Sequence, residues 1–506
     1  MTLRFLPLLM ILAACRCSPE PHDSGTADSP PPEDSAETGE STTDSAPPDD
    51  SDLPSADPAC LDLPGFERFV TRDGARLMVG DEPLRFASLN VPNLMMVEDD
   101  SWRLPDPWEQ RDALCAIAQL GGQVTRGYVV SVGDSWSKTP RHVTAPGVFS
   151  EPAFVAMDHM LDQASRNGVR VIVPLVDQWS WWGGIAEYAA FRNKAADTFW
   201  TDPQLLADFL LTVDQVLGRT NTVNGRAYID DPTILAWETG NELSSPTAWT
   251  AAVAAHIRGV DPNHLIMDGH YGVDPASLDN PDVDIVSNHY YWPEPFGHDY
   301  PAALAADLAT VGGRRPFVLG ELGVIDTWVI EGTLAAFEAS DAAGIMLWSL
   351  RSHDVDGGFH WHTEYDDGAT VYRAYHWPGF PTGDDYDEVE VLELLRAHAW
   401  SVRGLEPEPI PVPEAPVILS IHDDGDIHWR GSTGAAWYVL ERSRPFECCP
   451  EIVTDGFHDA LTPNQATVRD PWAQPGETWS YLLRACNVRG CSEASEISEP
   501  FTHSDG

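Results

Sequence analysis

Residues 233–243 read TILAWETGNEL, and this stretch decides how the rest of the chain is interpreted. Its first five residues are apolar or β-branched, which predicts a buried strand, whereas its end carries Asn241 and Glu242. Parallel sheets place their catalytic and binding groups at the carboxyl ends of the strands. The stretch therefore predicts a strand that delivers an amide and a carboxylate to a functional edge.

Seven further runs of this kind, separated by helix-length stretches, lie between residues 61 and 403. They are LRFASLN (84–90), QVTRGYV (123–129), VRVIVPLV (169–176), HLIMDG (264–269), VDIVSNHY (283–290), PFVLGE (316–321) and GIMLWSL (344–350). Eight strands alternating with helices predict an α/β fold, a (β/α)8 TIM barrel. An open doubly wound sheet is the alternative, but no glycine-rich phosphate loop follows any of these runs.

The residues at the ends of these runs are polar or aromatic. They are Arg126, Asp177, Gln178, Trp179, Trp181, Trp182, Asn241, Glu242, His270, Tyr271, His289, Tyr291, Trp292, Glu321 and Trp348. Two carboxylates among aromatic rings at one barrel mouth suit the cleavage of a glycosidic bond, which needs one ionised and one protonated carboxyl group. A neighbouring arginine favours the ionised form, whereas burial and mutual repulsion raise the pKa of the other.

Three stretches resemble the glycoside hydrolases of family 5, and most of all their endo-β-1,4-mannanase branch. They are GFERFVTRDGARLMVGDEPLRFASLN (65–90), VRVIVPLVDQWSWWGG (169–184) and FWTDPQLLADFLLTVDQVLGRTNTVNGRAYIDDPTILAWETGNEL (199–243). The resemblance extends over roughly residues 62–400. It implies a retaining enzyme whose two carboxylates lie on the fourth and seventh strands of the barrel.

The resemblance also implies roles for individual residues. Glu242 matches the acid/base and Glu321 the nucleophile. The other matches, which are expected to bind substrate or to support these two groups, are Arg126, Asn241, His289, Tyr291, Trp348, Trp179, Trp182 and His270. At least one of the three Trp residues in WSWWGG is expected to lie in the core instead. Glu238, one layer deeper on the same strand, is expected to bond inside the barrel.

The expected reaction is retaining cleavage of β-1,4-mannosidic bonds in β-mannan or glucomannan. The alternatives are an exo-β-mannosidase, a β-1,4-glucanase and an inactive barrel that binds polysaccharide at a cell surface. Leu243 stands where the family usually has proline, and LWSLRSHDVDGGFHWHTE (347–364) is unusually rich in histidine. The side chains of His353, His360, Trp361 and His362 in that segment either form a sugar subsite or only pack the loop.

The N-terminus predicts export. Residues 1–15 read as a signal peptide whose end, LAAC, resembles a bacterial lipobox with Cys15 as the lipidated residue. Residues 16–59 are acidic and rich in Pro, Ser and Thr, which predicts a disordered tether. We therefore expect a lipid anchor in a bacterial membrane, at the outer membrane or the cell surface, and an extracytoplasmic catalytic domain at 60–403.

After a Pro-rich linker at 404–416, residues 417–502 show short alternating runs that predict a small all-β sandwich. The run YLLRACNVRGCSEASEISEP (481–500) resembles the end of a fibronectin type III module. Cys486 and Cys491 flank a turn in it and are candidates for a disulfide, as are Cys60 and Cys115.

The net charge and the cysteine spacing limit the partners and cofactors that are expected. Thirty basic and 79 acidic residues give a net charge of −49, which disfavours nucleic acid as a partner. The cysteines lack the paired spacing of a zinc site, so no metal and no cofactor is expected. A monomer acting on a neutral polysaccharide is expected.

Overall fold

The computed structural model describes residues 60–98, 102–133, 141–291, 295–323, 325–366, 369–372, 374–380, 387–445, 449–459 and 467–504, with the backbone alone for residues 363–372. The predicted signal peptide with Cys15, the predicted tether and Trp292 lie outside the described residues.

The strands of the first part of the chain make a small hairpin sheet, a barrel and two further hairpins. They are β1 (Val70–Asp73), β2 (Arg76–Val79), β3 (Glu82–Leu84), β4 (Phe86–Leu89), β5 (Val124–Arg126), β6 (Val143–Ala145), β7 (Val148–Phe149), β8 (Arg170–Pro174), β9 (Ile234–Glu238), β10 (Leu265–Asp268), β11 (Ile285–Tyr290), β12 (Phe317–Gly323), β13 (Gly344–Trp348), β14 (Thr363–Asp366) and β15 (Ala369–Tyr372).

Eight of these strands form one parallel sheet in the order β4-β13-β12-β11-β10-β9-β8-β5. A parallel bridge between Asn90 and Arg126, which immediately follow β4 and end β5, closes that sheet. Each of the eight predicted runs contains one of these strands or, for β12, most of it, so the (β/α)8 barrel is confirmed. The closure excludes the open doubly wound alternative.

The helices pack around the outside of the barrel. They are α1 (Pro107–Leu120), α2 (Glu151–Arg166), α3 (Ile185–Phe191), α4 (Pro203–Leu217), α5 (Thr247–Val260), α6 (Tyr300–Val311), α7 (Thr327–Glu338) and α8 (Glu388–Ser401). Asp106 and Asp202 begin α1 and α4 by accepting hydrogen bonds from backbone N–H groups of the first turn. The connection from β10 to β11 has only a short 3₁₀ turn at Ser277–Asp279.

The N-terminal hairpin closes one end of the barrel. Val70, Leu77 and Leu84 from β1–β3 are buried in one apolar cluster with barrel residues that include Phe86 and Ile172. This packing removes the amino ends of the strands from solvent. The carboxyl ends of the strands are left as the accessible mouth, where a TIM barrel places its site.

The C-terminal β-unit (417–504) consists of antiparallel strands. They are β16 (Val417–Ile421), β17 (Asp426–Arg430), β18 (Trp437–Ser443), β19 (Glu451–Phe457), β20 (Thr467–Arg469), β21 (Thr478–Asn487), β22 (Gly490–Cys491) and β23 (Phe501–Thr502). One sheet has the order β16-β17-β20 and the other has the order β19-β18-β21-β22, with β23 also paired to β21. Alternate residues such as Trp429, Tyr438 and Tyr481 point inward and form a separate core.

Both candidate disulfides are formed. Cys60 is bonded to Cys115 of α1, and Cys486 is bonded to Cys491 across the β21–β22 turn. Among the helices in the described ranges, none combines the length and the apolar character that crossing a bilayer requires.

Candidate active site

Arg126 lies at the centre of the barrel mouth. Its guanidinium is fully buried, and its Nη1 donates to Oε1 of Glu321 at 2.8 Å. Nε and Nη2 donate to the two carboxylate oxygens of Glu238 at 2.6 and 3.2 Å, and Nη2 also donates to Oδ1 of Asn241 at 2.8 Å. One guanidinium from β5 therefore orients groups that β9 and β12 supply, and Glu238 bonds inside the barrel as predicted.

Two carboxylates face each other across this mouth. Glu242 follows β9 and Glu321 lies within β12, and one oxygen of each comes within 4.8 Å of the other and of a ring nitrogen of His289. Nδ1 of His289 is 2.9 Å from Oε1 of Glu242 and 3.6 Å from Oε1 of Glu321. Tyr291 donates its hydroxyl hydrogen to Oε2 of Glu321.

The surroundings of the two carboxylates differ. Burial opposes ionisation of Glu242, but hydrogen bonds from His289 and Trp179 outweigh it and lower its pKa below the ordinary value. Burial raises the pKa of Glu321, although His289 and Arg126 act in the opposite direction. Burial disfavours the charge of His289, but the two glutamates raise its pKa. The three groups are close enough to exchange protons and to titrate together.

Asn241 is held from both sides. Its oxygen accepts from Arg126, and its Nδ2 donates to Oδ1 of Asp177 at 3.0 Å and to the hydroxyl of Tyr128 at 3.3 Å. The Tyr128 hydroxyl in turn donates to Oδ2 of Asp177 at 2.8 Å. Burial raises the pKa of Asp177 to about 7, although the bonds from Asn241, the Trp179 backbone and Tyr128 oppose that rise. This network fixes the amide in one orientation.

Aromatic rings form the wall of the cleft next to this network. Trp348 at the end of β13 lies with its ring centroid 5.6 Å from that of Tyr128 and 6.2 Å from that of Trp181. His362 packs on the same rings, with centroids 5.4 Å from Trp181 and 6.3 Å from Trp348. Trp179 is 55% exposed at the mouth.

Two further predicted residues, Trp182 and His270, follow β8 and β10. Trp182 is fully buried and its ring packs 5.1 Å from Tyr128, so it belongs to the core, as expected for at least one of the three Trp residues. His270 is half-buried after β10, and its Nδ1 lies 3.2 Å from the carbonyl oxygen of Gly272. Its backbone pairs with Leu243, one residue beyond Glu242.

Gly320, the residue before Glu321, leaves room for His289. A Cβ atom at this position would lie 2.8 Å from Nε2 and 3.0 Å from Cδ2 of the His289 ring. No flexible side-chain end is available to move away, because the ring is buried and hydrogen-bonded. The glycine therefore allows β11 and β12 to bring His289 and Glu321 together.

Two groups in the described part of the chain have ligand atoms close enough for a cation. They are Glu242, His289 and Glu321 at the mouth, and Glu109, Asp354 and His360 beside α1. Arg126 donates to the first group, and Arg103 donates to both Glu109 and Asp354 in the second. A metal ion would have to compete with a guanidinium at either place, so neither donor set suits one.

Comparison with known proteins is consistent with this geometry. A family model described as "GH family 5 beta-mannosidase-like" matches residues 67–308. A protein of Oryza sativa subsp. japonica, provisionally named mannan endo-1,4-beta-mannosidase 5, is 31% identical over 389 residues, which are 65% of this chain and 74% of that protein. The chain belongs to the mannanase-like part of glycoside hydrolase family 5.

Other relatives of this family 5 protein match a shorter region. Mannan endo-1,4-beta-mannosidase 8 of Oryza sativa subsp. japonica is 30% identical over 246 residues, which are 44% of this chain and 64% of that relative. The crystal structure of the endo-1,4-beta-mannanase of Rhizomucor miehei has the same fold, with a TM-score of 0.55, 20% identity and coverage of 66% of this chain and 99% of that one.

Sequence reasoning missed some parts of the site. Asp177 was seen only as a polar strand end, and Tyr128 was not singled out, although both hold Asn241. The sequence does indicate that both residues lie near Arg126. Tyr128 is two residues after Arg126 on the same run, and Asp177 follows the next strand. His362 contacts the cleft rings, whereas His353 and His360 are buried in ion pairs away from them.

Proposed function

We propose that the protein is a retaining β-glycoside hydrolase that cleaves β-1,4-mannosidic bonds in mannan-type polysaccharide. The observation that carries this proposal is the pair Glu242 and Glu321, whose oxygens approach within 4.8 Å at one barrel mouth. Membership of the mannanase-like family and relatives named as mannan endo-1,4-beta-mannosidases support the substrate.

The reaction is a double displacement. A carboxylate oxygen of Glu321 attacks the anomeric carbon, and Glu242 gives its proton to the leaving glycosidic oxygen as the C–O bond breaks. Glu242, now ionised, takes a proton from water, and the hydroxide attacks the same carbon and releases Glu321. We expect Asn241 to hydrogen-bond the neighbouring sugar hydroxyl and Trp348 to support the sugar ring.

His289 can supply the proton that Glu242 needs for the first step. In the free protein the pKa of His289 is raised while that of Glu242 is lowered, so a shared proton rests on the imidazole. The 2.9 Å contact between Nδ1 and Oε1 is a direct path for that proton to reach Glu242. Transfer leaves a neutral imidazole and a protonated Glu242, which is the form that the first step requires.

The stereochemical outcome tests the mechanism. Retaining enzymes hold their carboxyl groups about 5–5.5 Å apart, whereas inverting enzymes leave about 6.5–9.5 Å for a water molecule. Proton NMR of the product formed first from a β-manno-oligosaccharide should show the β-anomer. Initial appearance of the α-anomer would contradict the proposal.

A product profile tests the substrate. The protein should degrade mannan and glucomannan to a range of oligosaccharides and leave cellulose intact. Release of mannose alone from chain ends would indicate an exo-β-mannosidase, and faster cleavage of cellulose would indicate a β-1,4-glucanase. Binding of mannan without turnover would indicate an inactive polysaccharide-binding barrel.

We further propose that the chain is an exported lipoprotein, with residues 1–15 as signal peptide, Cys15 lipidated and residues 16–59 as a tether to a bacterial membrane. The lipobox-like LAAC sequence supports this localisation. Expression in a bacterial host should place the protein in the membrane fraction, and Cys15→Ser should release it. Equal partition of both forms would refute the anchor.

The C-terminal β-unit is proposed to be a fibronectin type III-like module that follows the linker at 404–416. Its two antiparallel sheets, three-stranded and five-stranded, support this assignment. We propose a monomer, because the site is built from one chain. Light scattering should give a mass near that of a single chain.

A further inference from the structure

The loop after β13 (349–362, the β13 loop) is held between the barrel and the C-terminal β-unit. His353 in this loop is 1% exposed, and its Nδ1 lies 3.0 Å from Oδ1 of Asp112 on α1. On the other side of the ring, Nε2 lies 3.4 Å from Oδ2 of Asp459, which follows β19. One imidazole therefore joins a carboxylate of a barrel helix to a carboxylate of the C-terminal β-unit.

This contact is ionic and buried. Burial opposes the charge of His353, but Asp112 and Asp459 outweigh it and raise its pKa to about 10. Both carboxylates are themselves buried, so removal of either one would leave a charged ring without half of its partners. Breaking such a buried pair costs far more than breaking a surface ion pair.

Further contacts hold the barrel and the C-terminal β-unit together. Thr433 of the C-terminal β-unit donates its hydroxyl hydrogen to Oδ1 of Asp112, and Tyr438 donates to Oδ2 of Asp459 at 2.9 Å. A Cβ atom on Gly431 would lie 2.6 Å from Nε2 of His353, so no side chain fits there. This interface is packed too tightly for a module that is only tethered by a linker.

The same loop reaches the cleft at its other end. His360 is anchored to α1 through Glu109, with Nε2 3.0 Å from Oε1. Two residues later, the ring of His362 packs on Trp181 and Trp348, the aromatic wall described above. Only eight residues separate His353 from His362, so one short segment connects the interface to the wall.

We propose that the C-terminal β-unit is a positioning clamp: through Asp459 and Thr433 it holds the β13 loop in the conformation that forms the aromatic wall of the cleft. Asp459 is thus a positioning residue that acts through His353 and never touches the sugar. The inference rests on the proposed function only for its catalytic consequence. The clamp itself is a structural relationship that can be measured without substrate.

The test compares the full-length protein with Asp459→Asn, which keeps an oxygen for Tyr438 but removes the charge that faces His353. Amide hydrogen exchange in the β13 loop should speed up by roughly tenfold, because the buried ion pair between His353 and Asp459 is lost. On mannopentaose, KM should rise roughly three- to tenfold with kcat nearly unchanged, because the wall binds the sugar but does not contact the reacting carboxylates.

Arg469→Ala is the matched control. Arg469 lies in the same β-unit and pairs with the exposed Asp424 and Asp426, so its loss should change neither the loop exchange nor KM. If Asp459→Asn does not fold, Thr433→Val removes the hydrogen bond to Asp112 instead and is judged by the same two measurements.

Unchanged exchange in the β13 loop would overturn the clamp. So would faster exchange confined to the strands of the C-terminal β-unit with KM unaltered, because that result describes a destabilised module that positions nothing. Failure of the proposed function can be told apart from failure of the clamp. Even if the wild-type protein does not cleave mannan, hydrogen exchange in the β13 loop still shows whether Asp459 holds the loop.

Discussion

The indole N–H of Trp179 donates a hydrogen bond to Oε2 of Glu242 at 2.6 Å, although 55% of the Trp179 residue is exposed. His289 occupies the other oxygen of the same carboxylate. Both oxygens of the proposed acid therefore accept hydrogen bonds in the free protein, which favours its ionised form. A sugar that displaces Trp179 would remove one of these bonds and favour protonation at the moment when a proton is needed.

This relationship predicts the effect of Trp179→Phe, which keeps an aromatic ring and removes the donor. The pKa of Glu242 in the free enzyme should rise by about 0.5–1 unit, so more of the shared proton should rest on Glu242 and the plateau of kcat/KM should rise, whereas the basic limb, which follows His289, should stay in place. If the bound sugar displaces the ring, kcat should be the same for Trp179→Phe and for the wild type. A Trp179→Phe profile that overlays the wild type would show that the bond has no effect on Glu242.

Removal of the proposed nucleophile should abolish turnover. Glu321→Ala should lower kcat by about 10⁴-fold or more, since no other carboxylate is placed to attack the anomeric carbon. Added azide should restore part of the activity with an activated aryl β-mannoside and yield a glycosyl azide detectable by mass spectrometry. Glu331→Ala on the exposed face of α7 is the control and should behave as wild type. An active Glu321→Ala enzyme would refute the assignment.

Asp177→Asn should remove a pH dependence from the stability of the protein. The pKa of Asp177 is about 7 in the folded protein and about 3.9 when unfolded, so the folded state keeps a proton that the unfolded state has released. Wild-type stability is therefore lost as pH rises from about 4 to 7, and an amide does not titrate. The free energy of unfolding should be measured in urea for both proteins. The value for the variant minus that for the wild type should be about 2–4 kcal/mol larger at pH 8 than at pH 4.

The alternative for Asp177 is a paired carboxylate with an ordinary pKa. In that case the difference between Asp177→Asn and wild type would be the same at both pH values. Asp197→Asn serves as the comparison variant, because Asp197 is exposed in the short 3₁₀ turn before α4 and its replacement should change the free energy of unfolding little.

Gly320→Ala should displace the His289 ring. The added methyl group would lie 2.8 Å from Nε2, so the imidazole must move from Glu242 and kcat/KM should fall by roughly 10- to 100-fold. Gly332→Ala is the matched control, since Gly332 lies inside α7 with nothing within 4 Å of its added Cβ. That change should leave activity intact and raise stability by up to about 1 kcal/mol. Equal activity of the two variants would contradict the role given to Gly320.

The barrel was predictable because its strands are short apolar, β-branched runs set apart by helix-length segments. Each run ends in polar residues only where the strand reaches the mouth, so Arg126, Asn241, Glu242, His289 and Glu321 were found at strand ends and are in fact brought together. Period and position along a strand are local properties, and a sequence carries them directly.

The three Trp residues of WSWWGG show where local pattern is insufficient. Trp179 reaches the mouth, Trp181 forms part of the wall and Trp182 is buried, although they share one turn of chain. Which ring faces the cleft depends on the turn after β8 and on what packs beneath it. Composition and spacing are the same for every arrangement.

By itself the sequence determined the barrel and the rim on which the chemistry is placed, and its family resemblance implied the roles of Glu242, Glu321 and Arg126. Only the tertiary structure decided that Asp177 and Tyr128 orient Asn241, and that His353 lies between Asp112 and Asp459 rather than in the cleft. Those contacts join residues from 64 to 241 positions apart. Burial makes them strong, and burial is a property of the folded chain that no local pattern encodes.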